Sequence, residues 1–148
     1  MRQMQASSRR DRGFTLIELV VVMTIITILA GAVTLQVMNR IEHGKRARAL
    51  MDVKTIEDAV DMYAADNGQP PTTQQGIAAL RTKPSAPPVP KNWNGPYLKK
   101  KPMDPWGNEY VYRSPGQLTP EYDIVCYGKD GQPGGSGEFD KDISNAEE

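Results

Sequence analysis

Glu18 lies inside a long apolar segment, where an ionised carboxylate has little water to stabilise it. Residues 14–38 number 25, and Glu18 carries their only formal charge. Moving a carboxylate into hydrocarbon costs roughly 2.5–3.5 kcal/mol, so Glu18 needs a cationic partner, and the segment contains no Lys or Arg. If the chain were cut after Gly13, the new α-amino group of Phe14 would lie one helical turn away. That amine could pair with Glu18 of the same chain or of a neighbour.

A second group of carboxylates lies in a glycine-rich segment near the C-terminus. Its acids and glycines are Asp130, Glu138, Asp140, Asp142, Gly131, Gly134, Gly135 and Gly137. Oxygen ligands on a flexible loop suit Ca²⁺, and glycine lets backbone carbonyls turn inward. The segment is not an EF-hand, because the third and fifth positions counted from Asp130 are not acidic. By spacing alone, an acidic, glycine-rich loop is more often simply solvated.

The residue types give little indication of catalysis. The single His, His43, follows the apolar segment, and Cys126 has no His near it in the sequence. No phosphate-binding loop, serine elbow or zinc-ligand spacing is present. The lone Cys126 excludes an internal disulfide and is predicted to pack as a small apolar side chain. The formal net charge is zero, with +3 on residues 1–13 and −3 on the rest, which does not indicate nucleic-acid binding.

The apolar segment predicts a membrane-spanning helix. At about 1.5 Å per residue, residues 14–38 cover a hydrocarbon core of roughly 30 Å. β-branched residues are frequent there, yet helix is favoured in lipid because the backbone must satisfy its own hydrogen bonds. Glu18 could alternatively remain hydrated at the membrane interface. Basic residues flank both ends of the segment, so charge alone does not orient it.

After residue 39 the pattern becomes amphipathic and predicts that the same helix continues. Apolar residues recur at spacings of three and four, at Leu50, Val53, Ile56, Val60 and Tyr63. No Pro interrupts residues 14–69, which predicts one helix of roughly 50 residues with a weak point at Gly31. The sequence Asn67-Gly68, followed by two prolines, predicts its end.

The remaining chain predicts short elements separated by loops. A second helix is expected over residues 72–80, with Thr72 or Thr73 as its cap. Residues 104–108 predict a turn, and residues 109–113 and 122–127 predict two short strands. Most of the 12 Pro and 13 Gly follow residue 67, so the C-terminal part is expected to be rich in loops. The fold class is therefore α+β: a long N-terminal helix packed, by its C-terminal half, on a small antiparallel sheet.

The amino-terminal residues RGFTLIELVVVMTIITILA resemble the signature of type IV pilins and pseudopilins. Members of that superfamily have a basic leader ending in Gly, then Phe, and Glu at the fifth mature position, where Gly13, Phe14 and Glu18 stand. The resemblance implies that a prepilin peptidase removes residues 1–13 and methylates the Phe14 amine. It further implies that residues 14–38 form the transmembrane and filament-core helix, in which Glu18 guides assembly, and that residues 39–148 form a periplasmic pilin-like domain.

The segments TTQQGIAAL, NGPYL, DPWGNEYVYRSPG and YDIVCYGKDGQPGG resemble the major pseudopilins of the type II secretion system. The resemblance implies a single-pass protein of the bacterial inner membrane that forms a homopolymer, the periplasmic pseudopilus. Minor pseudopilins and an inner-membrane assembly platform would be its partners, and export of folded proteins its function. The sequence departs from the family pattern at its end, where Ala-Glu-Glu follows Asn145 in place of a segment that usually contains a Trp.

The same resemblance implies a calcium site in the acidic loop. Asp130 and Asp142 match the family's ligand positions, and backbone carbonyls near Tyr127 are further candidate ligands. The spacing between the two acids is about one residue longer than usual, so Asp140 could replace Asp142.

Other interpretations remain open. Type IV pilins and minor pseudopilins share the N-terminal signature, although major type IV pilins usually carry two C-terminal cysteines and this chain has one Cys. A monomeric, membrane-anchored calcium-binding protein would also fit the apolar segment and the acidic loop. Finally, Ala30-Gly31-Ala32 resembles the cleavage site of an ordinary secretory signal.

We predict cleavage between Gly13 and Phe14, because the basic leader directly abuts the apolar run. Mass spectrometry of the mature chain is expected to find a methylated Phe14 at its terminus. Replacing Gly13 with a bulky residue should leave uncut precursor in the membrane. A mature terminus at Val33 would instead support the ordinary signal peptide.

Overall fold

A computed structural model describes residues 13–147, and the chain divides into two compact units between Asn39 and Arg40. The described residues form one α-helix, a 3₁₀ helix and three short strands. These are α1 (Leu16–Asn67), the 3₁₀ helix (Ile77–Leu80), β1 (Val111–Arg113), β2 (Asp123–Cys126) and β3 (Ile143–Ser144). The strands form one antiparallel sheet in the order β1-β2-β3. The predicted α+β class, with its long helix and small antiparallel sheet, is confirmed.

Helix α1 is a single helix of 52 residues that continues through Gly31. The prediction of one long helix is therefore confirmed, and Gly31 does not break it. At the C-terminal end Gly68 adopts a φ of 82°, and its N–H donates to the carbonyl of Ala64 at 2.7 Å. Glycine adopts this left-handed conformation without a steric penalty, and Pro70 and Pro71 follow it. The left-handed glycine and the two prolines thus end the helix where the sequence predicts.

The buried face of α1 differs at one position from the predicted stripe. Four of its members are buried as expected, namely Val53, Ile56, Val60 and Tyr63. Leu50 is 44% exposed, whereas Ala49 is fully buried, so the prediction for Leu50 was wrong. Ala49 precedes Ile56 by seven residues, close to two full turns, and therefore lies on the same face of the helix.

Strand β2 is the centre of the sheet, and all four of its residues are buried. Val111 pairs with Val125 across β1 and β2, and Cys126 pairs with Ile143 across β2 and β3. The first two strands lie within the predicted ranges but are shorter. The two-residue β3 was not predicted, because a strand of that length has no measurable alternation. Cys126 packs inside the core as expected, with 1% of its surface exposed.

Residues 72–80 form a turn followed by the 3₁₀ helix, so the prediction of a longer second helix was wrong. Thr72 caps the turn, since its hydroxyl accepts from the Gln75 N–H at 3.3 Å and Gln75 Oε1 accepts from the Thr72 N–H at 3.1 Å. Gly76 then adopts a φ of 58°, a left-handed conformation that interrupts helical geometry before Ile77. Thr72 thus caps the turn, whereas the N-cap of the 3₁₀ helix is Gly76, so the prediction that Thr72 or Thr73 caps the second helix was wrong.

Acidic side chains on α1 accept hydrogen bonds from aromatic side chains elsewhere in the second unit. Within residues 40–147 these pairs are Glu42 with Trp106 Nε1 (2.9 Å), Asp52 with the Tyr110 hydroxyl (3.1 Å), Asp61 with the Tyr122 hydroxyl (2.5 Å) and Asp66 with the Tyr97 hydroxyl (2.7 Å). Burial raises the pKa of Tyr110 and of Tyr122, and the neighbouring carboxylate raises each further. Both hydroxyls therefore stay protonated and remain donors.

The buried carboxylate of Asp123 organises the loop between β1 and β2. Its oxygens accept from the backbone N–H groups of Gln117 (2.6 Å), Leu118 (3.0 Å) and Thr119 (2.9 Å). Burial acts to raise the pKa of Asp123, but these donors outweigh it and hold the pKa below its usual value. The loop conformation is thus stabilised by an ionised side chain inside the domain.

We predict that Asp123→Asn lowers stability at neutral pH by about 1.5–3 kcal/mol, the range for hydrogen bonds to a charged group. Because the folded-state pKa is lowered, this stabilisation is present above the unfolded-state pKa of about 3.9 and is lost as pH falls through the folded-state value. Thermal melts of the two proteins should therefore converge in acid. The exposed Asp58, changed to Asn, is the control and should lose little; a difference for Asp123 that does not vary with pH would contradict this account.

Candidate functional site

The first unit exposes an apolar helical surface. Every described side chain of residues 14–33 is exposed, including Phe14 (87%) and Leu16 (81%). By length and composition, α1 contains a segment able to cross a membrane. An exposed apolar surface of this kind is suited to contact with lipid or with other apolar helices.

Glu18 closes the first turn of α1 through a reciprocal cap with Thr15. Glu18 Oε2 accepts from the Thr15 backbone N–H at 2.9 Å and from its hydroxyl at 3.0 Å, while the Glu18 N–H donates to Thr15 Oγ1 at 3.3 Å. The spacing T-x-x-E is that of a capping box, a sequence signal from which Thr15 could have been predicted but was not. In the uncut chain the nitrogen of Phe14 belongs to the peptide bond with Gly13, so the predicted pairing with Glu18 requires cleavage at that bond.

The hydroxyls of two threonines in the apolar segment are satisfied within the helix. The hydroxyl of Thr24 donates to the carbonyl of Val20 at 2.8 Å, and that of Thr27 donates to the carbonyl of Met23 at 2.8 Å. These local bonds remove the penalty of placing a hydroxyl in hydrocarbon. Glu18 differs, because an ionised carboxylate retains its charge after accepting hydrogen bonds.

In the acidic loop, Asp142 has the environment most consistent with a cation ligand. Its Oδ2 accepts from the Gly134 N–H at 2.9 Å, and its own N–H donates to the Gly134 carbonyl at 3.3 Å. Its Oδ1 is buried and has no hydrogen-bond partner among the described residues. A buried carboxylate oxygen without a partner is costly, and a bound cation would satisfy it. The residues present therefore fit Ca²⁺ at this position.

The other predicted ligands have different surroundings. Asp130 is exposed, and its Oδ1 accepts from the Gln132 N–H at 3.1 Å, which stabilises its own turn. Asp140 is half-buried, and the Tyr127 hydroxyl accepts from Arg113 Nη2 at 3.2 Å. Among residues 13–147, no three His, Cys, Asp or Glu side chains are grouped as a metal site. A Ca²⁺ ion here would need backbone carbonyls as ligands, which Ca²⁺ accepts readily.

The loop folds back tightly on its own backbone, and this requires glycine. Gly128 has a φ of 67°, and a Cβ there would lie 2.8 Å from the carbonyl oxygens of Phe139 and Asp140. The Phe139 carbonyl also accepts from the Lys129 N–H at 2.8 Å. The two ends of the acidic loop are thereby held together.

The same loop contacts the part of α1 that begins the second unit. The His43 ring meets Phe139 edge to face, with centroids 5.0 Å apart, and His43 Nδ1 lies 3.7 Å from Glu138 Oε1. Arg46 Nη1 donates to the Lys141 carbonyl at 3.0 Å. These contacts of His43 and Arg46 were not predicted, because they join residues that are distant in sequence.

Cys126 has an environment that disfavours thiol chemistry. Burial raises the pKa of its thiol to about 11, with Asp104 adding to the effect, and the thiol donates to Asp104 Oδ2 at 3.5 Å. The thiolate is the reactive form of cysteine, and the raised pKa disfavours it. The environment of Cys126 therefore suits packing in the core rather than chemistry.

Comparison with known proteins covers both parts of the chain. Residues 36–146 match the family model described as type II secretion system (T2SS), protein G, and residues 8–34 match the prokaryotic N-terminal methylation motif. The chain is 51% identical to the type II secretion system core protein G of Pseudomonas aeruginosa, over 93% of this chain and 96% of that protein. It is 44% identical to that of Aeromonas hydrophila, over 93% of each chain.

A solved structure supports the same assignment. The crystal structure of the major pseudopilin from the type 2 secretion system of enterohaemorrhagic Escherichia coli matches with a TM-score of 0.62 and 37% identity. The match covers 74% of this chain and 92% of that one. Since the family model spans most of the chain and the relatives align over nearly their full lengths, this chain belongs to the protein G family of the type II secretion system.

Proposed function

We propose that this chain is a structural subunit of the pseudopilus of a type II secretion system and has no catalytic role. The observation that carries the proposal is the exposed apolar surface of residues 14–33, which a single chain leaves uncovered. Membership of the protein G family supports it further. Neighbouring copies that stack their helices would bury this surface in a filament.

We infer that the chain spans the inner membrane once before assembly, with residues 39–148 in the periplasm. A prepilin peptidase would cut the bond between Gly13 and Phe14 and so remove residues 1–13. Methylation of the new Phe14 amine would then prepare the chain for assembly. The match of residues 8–34 to the methylation motif supports this sequence of events. Minor pseudopilins and an inner-membrane platform are the proposed protein partners, and the growing filament would move folded proteins outward.

Glu18 would set the register of each incoming subunit. Cleavage converts the nitrogen of Phe14 into an amine, which offers Glu18 a cationic partner on its own chain or on a neighbour. An unpaired carboxylate in hydrocarbon is costly, so positions that pair it are favoured over neighbouring registers. The Thr15 cap holds the carboxylate toward the start of α1, where that amine would lie.

The alternative functions are less well supported. A type IV pilin or a minor pseudopilin would share the apolar helix, but the protein G model matches residues 36–146, beyond the common N-terminal signature. A monomeric, membrane-anchored calcium-binding protein would need the apolar surface only as an anchor. Such a protein would form no filaments, so filament formation separates the two proposals.

Glu18→Ala is expected to be inserted and cut normally, yet to assemble poorly and to stop secretion. The control is Thr27→Val, which also removes a polar group from the apolar segment, but one that bonds within its own helix. Mass spectrometry would verify processing, micrographs of sheared filaments would measure assembly, and an exported folded protein would report secretion. Normal filaments from Glu18→Ala would exclude the proposed role.

We also propose that the acidic loop binds Ca²⁺, with Asp142 as a side-chain ligand. The support is its buried, unpartnered Oδ1, together with the tight backbone packing around Gly128. Asp130, Asp140 and the carbonyl of Tyr127 are the further candidates. A bound Ca²⁺ would supply positive charge that offsets repulsion among the acids and ties down flexible glycine-rich backbone.

Calcium is expected to raise the melting temperature of the full chain in detergent. A ligand that binds only the folded form stabilises it by roughly 2.7 kcal/mol at a hundredfold excess over Kd. Asp142→Ala should abolish the gain, and Asp130→Ala and Asp140→Ala test the other two acids. Glu121→Gln, which removes an exposed carboxylate outside the loop, should retain the full gain. Identical melts in calcium and in chelator would contradict the calcium proposal.

A further inference from the structure

We propose that His43 and Arg46 of α1 are positioning residues for the calcium site, holding the acidic loop in its ligand-binding form. This inference rests on the proposed binding of Ca²⁺ by the loop. Neither residue would touch the ion. They would act through residues 138–141, which lie next to or include the candidate ligands Asp140 and Asp142.

The contact of Arg46 is placed where it has most effect on the candidate ligands. Its guanidinium donates to the carbonyl of Lys141, the residue between Asp140 and Asp142. A hydrogen bond to that carbonyl restricts the peptide plane that joins Lys141 to Asp142, and so the backbone that carries the Asp142 side chain. Guanidinium is positively charged at all relevant pH values, so this donor is always available.

His43 holds the adjacent part of the loop by a different interaction. Its ring packs edge to face with Phe139, whose carbonyl accepts from the Lys129 N–H at 2.8 Å. The Phe139 contact therefore supports the bond that closes the loop near Gly128. Glu138 adds a polar contact to the same His43 ring at 3.7 Å.

These anchors matter because they tie the loop to α1, whereas the bonds from Gly134 to Asp142 and from Gln132 to Asp130 lie within the loop. Residues 132–136 are exposed and include two glycines with positive φ, Gly134 and Gly135. Fixing such backbone carries a large entropic penalty. If the loop were unordered before binding, this penalty would reduce the affinity for calcium. A loop fastened to a rigid helix is pre-organised, which raises affinity without any added ligand.

Neighbouring side chains on α1 provide a matched comparison. Arg48 lies two positions after Arg46, is exposed, and pairs with Asp52 of the same helix at 3.6 Å. Lys45 pairs with Glu42 at 3.1 Å. Arg48→Ala therefore removes the same type of side chain from the same helix without removing the bond to Lys141.

The test is a calcium titration by calorimetry of the full chain in detergent, at a temperature where every variant is folded. Arg46→Ala should raise the Kd for calcium by roughly two- to tenfold, the factor expected from one hydrogen bond. Arg46→Lys should restore part of the loss, and Arg48→Ala should match the unchanged protein. His43→Ala should weaken binding, whereas His43→Phe, which keeps a ring against Phe139, should weaken it less.

Hydrogen exchange in chelator gives a second measurement. The amides of residues 140–142 should exchange faster in Arg46→Ala than in Arg48→Ala, before any calcium is added. A purely structural role would lower the melting temperature equally with and without calcium and leave Kd unchanged, and that outcome would overturn the positioning role alone. Absence of any calcium response in the unchanged protein would overturn both this inference and the calcium proposal.

Discussion

The hydrogen bonds between acidic residues of α1 and aromatic side chains determine how the second unit is built on its helix. Apolar burial of the face that includes Ile56 and Val60 supplies a non-directional driving force. The bonds to Trp106, Tyr110, Tyr122 and Tyr97 are directional, and they lie at intervals along the helix from Glu42 to Asp66. They therefore select one rotation and one axial position of the helix against the rest of the unit. Hydrogen bonds to charged groups contribute about 1.5–3 kcal/mol each, enough to decide between competing packings.

The sequence predicts well those features of the fold that depend on residues close together along the chain. The length of α1, its end at Gly68 and most of its buried stripe follow from periodicity and from local backbone preferences. The errors arise where distant segments decide. Ala49 replaces Leu50 on the buried face because packing accepts a small side chain at that position, and β3 exists only because β2 provides a partner. Two residues carry too little pattern to predict a strand unaided.

The candidate sites follow the same division. Glu18 is conspicuous in the sequence, since it is a charge within an apolar run, and the acids of the C-terminal loop are conspicuous by their number. The unpartnered Oδ1 of Asp142 depends on the folded surroundings of the loop, so the sequence does not reveal it. The bond from Arg46 to Lys141 is equally hidden, because it joins positions 95 residues apart. Residue types thus identify candidate ligands and charges, while the fold determines which of their polar atoms lack a hydrogen-bond partner.

Glu18 links the two environments that the apolar segment can occupy. In lipid, the surface of residues 14–33 is covered, but nothing outside the chain compensates the carboxylate. In a bundle of identical helices, the same surface is covered equally well, because helix packing and lipid contact differ little for apolar side chains. The apolar residues therefore give only a weak preference for assembly. The proposed pairing of Glu18 with the Phe14 amine of a neighbouring chain would add a preference that lipid cannot match, and this one charge would then bias the whole helix toward the filament.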